Sequence, residues 1–429
     1  MPEYGAGGLA VGGAAHPDAA TGPEDDGSRA VIDVHHHFCA PAWRRWAERQ
    51  GLVGPRSLPP WAGWEAEAAL ALMDRAGIAL AVLKPMLPAR YESSAQLREA
   101  VAVTLEAAAE VVEAYPGRFA FHAPLFLDEE EVSSWTLRRG LDELGAVGVN
   151  VTANYRGTYL GDPAYDRIFA ELDERAAIVD THPHVLPDGP GGGHPTVTAG
   201  GPDAGGPGHG PAGRPGGAGD GPGTRPGGAG PGGAGGGPGG PGGGHGEPGA
   251  GPGGRSAGGP GGPGGPGGPG GRGGPGGPAS VPGLPNFLCD FLLDTTRAAA
   301  NMIRTRTLDR FPRLSVILPH GGGFLPQIAT RMEAFADAFD PPVDPAAVRD
   351  HMHRFYYDTA GPLSPAGTLL ATVDPGRILF GSDWPACPAG VVADLAVPAL
   401  AADPALTVRQ RRGVNRENAL RLMPGLVSA

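Results

Sequence analysis

Side chains able to move protons or hold a metal recur at a few defined places in this chain. The stretch Val31-Ile32-Asp33-Val34-His35-His36-His37-Phe38 reads as a short apolar strand that delivers three histidines at its C-terminal end. Side chains on a strand alternate faces, which predicts His35 and His37 on one face and His36 on the other. Two imidazoles so spaced can share one metal ion; solvated histidines at a polar strand end are the plainer alternative. Asp33 shares the face of that pair and suits a hydrogen-bonding partner that orients them. His182-Pro183-His184, His320-Gly321-Gly322-Gly323 and Ser382-Asp383-Trp384 each follow another apolar run. Three imidazoles and a carboxylate form a nitrogen/oxygen set suited to a borderline divalent ion with room for water or substrate. His320 can be a further ligand or a nearby acid–base group, and its glycines let backbone approach a bound ligand. Asp383 can serve as ligand, as proton donor, or as both.

The elements that must position these groups are short apolar strands alternating with helical patterns. Strands are expected at 31–38, 78–83, 119–125, 147–152, 176–181, 314–319, 354–359 and 377–381. Between them lie helical patterns near 64–76 (after Trp61 and Trp64, stopped by Gly77), 93–115, 130–144 and 163–175. Later ones run from a cap at Asp294 or Thr295 to about Arg310, then near 326–338, 345–352 and 407–422. Eight such strands predict a closed (β/α)8 TIM barrel, whose active sites sit at the C-terminal strand ends. His35 and His37 end strand one, His182 strand five, His320 strand six and Asp383 strand eight, so all fall at that one face.

Composition interrupts this pattern once. The chain holds 76 Gly and 49 Pro, concentrated in residues 189–283. That block has too little apolar surface to offset its ordering entropy, so a long disordered Gly/Pro-rich insertion after strand five is expected. A collagen-like triple helix is disfavoured because the Gly register is short and interrupted. His194, His209 and His245 lie in the block and are not read as ligands. The organisation predicted is a disordered tail at 1–29, a first barrel part at 30–188, the insertion, and a second barrel part at 284–429.

A net charge of −12 without a basic run argues against nucleic acid as a partner. No stretch of about 18 apolar residues occurs, so no membrane helix is expected. The N-terminus lacks the pattern of a signal peptide, and Cys39, Cys289 and Cys387 are widely spaced without a CxxC. A soluble cytoplasmic protein is the expectation, with Cys39 and Cys387 as small buried hydrophobes. His122, in the middle of a strand, is expected to be a packed barrel residue. His184 is read as loop polarity, and His351 and His353 as exposed.

The combination Asp33-Val34-His35-His36-His37, His182-Pro183, His320-Gly321-Gly322-Gly323-Phe324-Leu325-Pro326 and Gly381-Ser382-Asp383-Trp384-Pro385 resembles the amidohydrolase superfamily. The order is similar to the branch containing aminocarboxymuconate-semialdehyde decarboxylase and 6-methylsalicylate decarboxylase. Asn154-Tyr155, Leu160-Gly161-Asp162-Pro163 and Asp294-Thr295-Thr296-Arg297-Ala298 look like the methylsalicylate-type members. The resemblance covers Val31 to Leu426 apart from the insertion. It implies a barrel enzyme with one divalent metal, zinc or else manganese, held by His35, His37, His182 and Asp383, with His320 as catalytic histidine. A homodimer is also implied. The end of strand four, Val149-Asn150-Val151-Thr152-Ala153-Asn154, lacks the lysine of two-metal relatives, which favours one ion. Two departures, the insertion and Arg304-Thr305-Arg306-Thr307 in place of a Ser-Gly pair, bear on substrate more than on metal.

The reaction so implied is non-oxidative decarboxylation of an aromatic, ortho-hydroxybenzoate-like or conjugated carboxylic acid. Arg297 or Lys84 is expected to help hold the substrate carboxylate, because a cation matches it, and Trp384 to line the pocket. A surface or helix-end cation is the competing reading of each base. A lactone or ester hydrolase on the same ligands is the alternative function. A non-catalytic scaffold using the Gly/Pro tract for interactions is the third.

Overall fold

Strand β1 (Val31–Phe38) is buried along its whole length, as expected of a strand with both faces covered. Around it β2 (Ile78–Pro85), β3 (Phe119–Pro124), β4 (Gly148–Thr152), β5 (Ile178–His182), β6 (Ser315–Leu318), β7 (Tyr356–Asp358) and β8 (Ile378–Leu379) follow in sheet order. Every adjacent pair is parallel. The ring closes where Val34 N donates to Phe380 O (2.9 Å), His37 N to Trp384 O (2.7 Å) and Asp383 N to His35 O (2.9 Å). This is the (β/α)8 barrel expected. The computed structural model describes residues 31–54, 58, 62–184, 285–361 and 366–427. The N-terminal tail, Trp61 and the Gly/Pro tract with its three histidines lie outside the described residues.

Inside the lower barrel Ile32, Val34, Leu80, Val82, Ala120, Ile178, Ile317 and Leu379 pack together. Ala419, Met423 and Leu426 of the C-terminal segment cover them from below. A larger apolar layer joins the strands to the surrounding helices. Polar interior groups therefore begin only one or two residues nearer the C-terminal ends: Lys84, His122, Asp180 and His182 are all buried there. The apolar floor blocks one mouth, and chemistry is confined to the other.

Helix boundaries follow local signals. Gly77, at φ 70°, ends α2 (Ala66–Ala76), and the Ser93 hydroxyl accepts from Gln96 N (3.2 Å) to start α3 (Ser94–Ala114). Helix α1 (Pro41–Arg49) was not predicted, although it buries Trp43 and Trp46; its residues follow β1 after a two-residue link. After α4 (Glu130–Thr136) and α5 (Asp166–Glu174), helix α6 spans Asp290–Arg304. Asp294 thus lies inside α6 instead of capping it, because the helix begins a turn earlier. The helix Pro345–Arg354 runs two residues past its predicted end, and its spacing puts His351 on the inner side with Val348 and Met352. His351 is buried, contrary to expectation, and His353 is exposed.

Candidate metal centre

Strand alternation alone does not place the first histidines. The register between β1 and β2 shifts between Asp33 and His36, a bulge that gives β1 one extra residue. Asp33 consequently faces His36, not His35 and His37. His36 Nδ1 donates to Asp33 Oδ2 (3.0 Å), and its Nε2 accepts from Trp64 Nε1 (3.5 Å). Asp33 also accepts from the Ser382 hydroxyl (2.6 Å) and backbone N–H (2.9 Å), which fastens the β8 loop to β1. Asp33 is therefore a brace between strand ends rather than the expected partner of the ligand pair.

The bulge leaves His35 and His37 beside His182. Ring centroids lie 4.9 Å apart for His35 and His37, 4.8 Å for His37 and His182, and 5.5 Å for His35 and His182. One donor atom from each of His35, His37, His182 and Asp383 falls within 4.8 Å of the others. His37 Nε2 is 2.9 Å and His35 Nε2 3.5 Å from Asp383 Oδ1. His320 stands over the group, its ring 5.2 Å from that of His35 and its Nε2 3.7 Å from Asp383 Oδ2. Both His320 (φ 54°) and Asp383 (φ 62°) occupy the left-handed region, a strain of order 1–2 kcal/mol each for non-glycine residues, here kept at a site.

Second contacts fix the tautomers. His35 Nδ1 donates to Asp358 Oδ2 at 2.8 Å, and His182 Nδ1 to its neighbour's carbonyl, Pro183 O, at 2.7 Å. Each imidazole then turns an Nε2 lone pair to the common centre. His35 Nε2 is buried and makes no hydrogen bond. A buried acceptor left so is costly unless something electropositive lies between the rings, so these residues fit a bound cation. Burial, with Lys84 and His37 beside it, holds His35 well below the usual imidazole range; burial, His37 and Lys84 do the same to His182. Both are neutral and ready to coordinate. Burial would raise the Asp383 carboxyl, but His320 beside it and the hydrogen bond from His37 win and hold it well below its usual range. Burial likewise disfavours charged His320, yet the neighbouring Asp383 carboxylate prevails and raises it.

Three residues that sequence reasoning missed or misread complete the wall. Asp358 ends β7, is buried, and accepts from His320 N and Ala360 N (both 2.9 Å) as well as from His35. Asp180, inside β5, takes the Lys84 ammonium at 2.8 Å, and its other oxygen lies 3.2 Å from His122 Nδ1. Burial would raise the Asp180 carboxyl, but Lys84 wins and lowers it. An acid inside an apolar strand was the available signal, since charges are almost never buried unpaired. Lys84 is fully buried, also donates to Thr181 O (3.0 Å), and so is neither a surface cation nor a group projecting towards solvent. Arg297 is on the exposed side of α6 near Tyr159. Trp384 is buried with its ring tilted over His36 (4.8 Å), backing the centre instead of lining an opening. His122 is the packed strand residue expected, and Cys39 and Cys387 are buried.

The glycines after His320 have another use than the one expected. A Cβ on Gly323 would come within 2.2 Å of Leu292 O, and one on Gly322 within 2.8 Å of the Tyr357 ring. They let the loop cross α6 and β7. A second acidic group, Asp309, Asp350 and His351, lies away from the barrel mouth. Arg354 bridges its two carboxylates and Arg306 pairs with Asp309, so it is an ion-pair network.

Comparison with known proteins places this geometry. The family profile described as amidohydrolase matches residues 32–424. Decarboxylase macB of Penicillium terrestre is 26% identical over 371 residues, covering 83% of this chain and 84% of that protein. The 6-methylsalicylic acid decarboxylase acuB of Aspergillus aculeatus is 25% identical over 415 residues, covering 93% and 97%. Among solved structures, 5-carboxyvanillate decarboxylase of Novosphingobium aromaticivorans, complexed with manganese and 4-hydroxy-3-methoxy-5-nitrobenzoic acid, matches with a TM-score of 0.62. It is 16% identical, over 93% of this chain and 97% of that one.

Proposed function

Since this chain belongs to the amidohydrolase family, we propose that it is a metal-dependent decarboxylase of a small aromatic acid carrying a hydroxyl beside its carboxylate. The observation that carries this reading is the convergence of His35, His37, His182 and Asp383 on one point, with His320 beside it. The decarboxylase names of the relatives, each covering most of this chain, favour it over lactone or ester hydrolysis.

Those four residues would hold one divalent ion. Bound there, it supplies positive charge that orients an ortho-hydroxy acid and offsets charge developing in the ring. Three imidazoles and a carboxylate accept zinc, the ion implied from sequence, or manganese, the ion in the solved relative. Elemental analysis of the purified protein decides between them.

The chain's own residues manage the proton. Loss of CO₂ leaves the bonding electron pair on the ring carbon, and one proton must replace the carboxylate there. The His320–Asp383 pair holds that proton on the imidazole, as its raised affinity and the ionised acid require. His320 Nε2 and Asp383 Oδ2 are 3.7 Å apart, an ion-pair distance that one bridging water or a small closure converts into a path for the proton. Asp358 keeps His320 in place through its backbone N–H and keeps His35 in one tautomer.

A panel of ortho-hydroxybenzoates and muconate-type acids, followed for CO₂ release in D₂O, tests the proposal alongside a panel of lactones. One deuterium at the carbon that lost the carboxylate is expected. Lactone opening with no CO₂ from any acid overturns it.

A further inference from the structure

Strand β5 ends at His182; the described residues stop at His184 and resume at Pro285, shortly before α6. His184 donates its backbone N–H to Asp294 Oδ2 at 2.8 Å, across 110 residues of sequence. Asp294 is fully buried. Its two oxygens also accept from Asn154 Nδ2, at 3.0 and 3.2 Å, and Asn154 Oδ1 in turn accepts from Gly157 N at 3.1 Å. On the other side the His182 carbonyl accepts from Ala153 N at 2.8 Å. One carboxylate on α6 thus joins the loop after β4 to the segment after β5. The chemistry proposed above makes no use of it, and burying a carboxylate is costly unless its bonds matter.

We propose that Asp294 is a positioning residue for the metal centre: it staples His184 to α6, so that His182 keeps its place whatever the length of sequence between them. The probability that a loop closes falls as about the 3/2 power of its length. Removing residues 190–282 leaves fewer than about 20 residues to close, which eases closure by about tenfold. The staple should therefore matter greatly in the full chain and little in a shortened one. An ordinary packing residue would matter equally in both.

The test compares Mn²⁺ affinity of the full chain and of a chain lacking residues 190–282, each with and without Asp294→Ala. The affinity readout rests on the metal reading of the site; hydrogen exchange of the His184 amide, measured on the same proteins without metal, does not. In the full chain Asp294→Ala is expected to weaken Mn²⁺ binding by about tenfold or more, the scale of lost outer partners of metal ligands. Amide exchange should accelerate by a similar factor. In the shortened chain the affinity change should stay under about threefold, while the amide, which loses its acceptor in either background, exchanges faster in both. Equal affinity losses in the two backgrounds, or no affinity loss in either, overturn the proposal. Should no form bind Mn²⁺ or Zn²⁺, the metal reading fails, while a His184 amide that exchanges no faster in the full-chain variant still overturns the staple. If Asp294→Ala does not fold, Asp294→Asn, which sets two amide groups face to face, replaces it. Adding Asn154→Asp then reverses the pair and should restore both readouts; failure to restore them counts against the staple.

Discussion

His35 contributes to a cation site only because Asp358 accepts a hydrogen bond from its Nδ1–H, leaving the Nε2 lone pair to face inward. Asp358→Asn presents an amide that can donate to Nδ1 and so favours the wrong tautomer. Metal affinity is expected to fall about 10- to 100-fold, read by competition with a chelator; a change under about threefold would contradict this role. His320 should separate chemistry from binding. His320→Asn is expected to lower kcat by about two to four orders of magnitude while metal content stays stoichiometric. Loss of the ion in that variant would make His320 a ligand instead. The residues at this scale were unevenly legible. The four convergent groups and His320 could be listed because histidines at strand ends stand out against apolar runs. Asp33 was misplaced because a bulge moves every later side chain to the other face, and nothing local in Asp33-Val34-His35 announces it. Lys84 looked like a free cation because its partner Asp180 is 96 residues away, a contact only the closed barrel creates.

Among the elements, the strands were read to within two residues at each end, since buried parallel strands are continuous apolar runs. Helices were harder. Helix α1 went unread, and in the helix Pro345–Arg354 the polar His351 was taken for the outer face although its spacing from Val348 puts it inside. That burial makes a prediction. His351 is buried, its Nδ1 3.0 Å from Ala347 O and its Nε2 making no hydrogen bond. Burial lowers its affinity for a proton below that of ordinary imidazole. An unfolded chain binds that proton below about pH 6.5, whereas the folded one does so only at lower pH. The stability His351 contributes is thus complete above about pH 6.5 and declines as pH falls towards the folded value. The loss is about 1.4 kcal/mol for each unit of lowering. Urea unfolding of the protein and of His351→Gln at pH 7.5 and 5.5 measures it: the stability difference between the two should shift against the wild type at the lower pH. An unchanged difference would mean that the imidazole charges freely in the folded helix.

The molecule as a whole accommodates a long Gly/Pro-rich segment exactly where a barrel can spare one, between a strand end and the next helix. The amidohydrolase match nevertheless runs from residue 32 to residue 424 across it. The strands on either side, β5 and β6, still pair in register, Val179 with Val316 and Asp180 with Ile317. Ligand candidates from β1, β5 and the β8 loop come together in the same barrel, so closing the ring brings these four to one point. With Asp294 intact, deleting residues 190–282 is expected to keep metal affinity within about threefold, because the bonds of Asp294 hold the segment after β5 in place at either length. Saturating metal should raise the melting temperature of both proteins alike: binding only the folded state adds about 2.7 kcal/mol at a hundredfold excess over Kd. Equal metal-induced shifts in calorimetry would show that the deleted segment is no part of the centre. A shortened chain that melts as before but gains nothing from metal would show that the segment supplies part of the site, and the four-residue centre would then be incomplete.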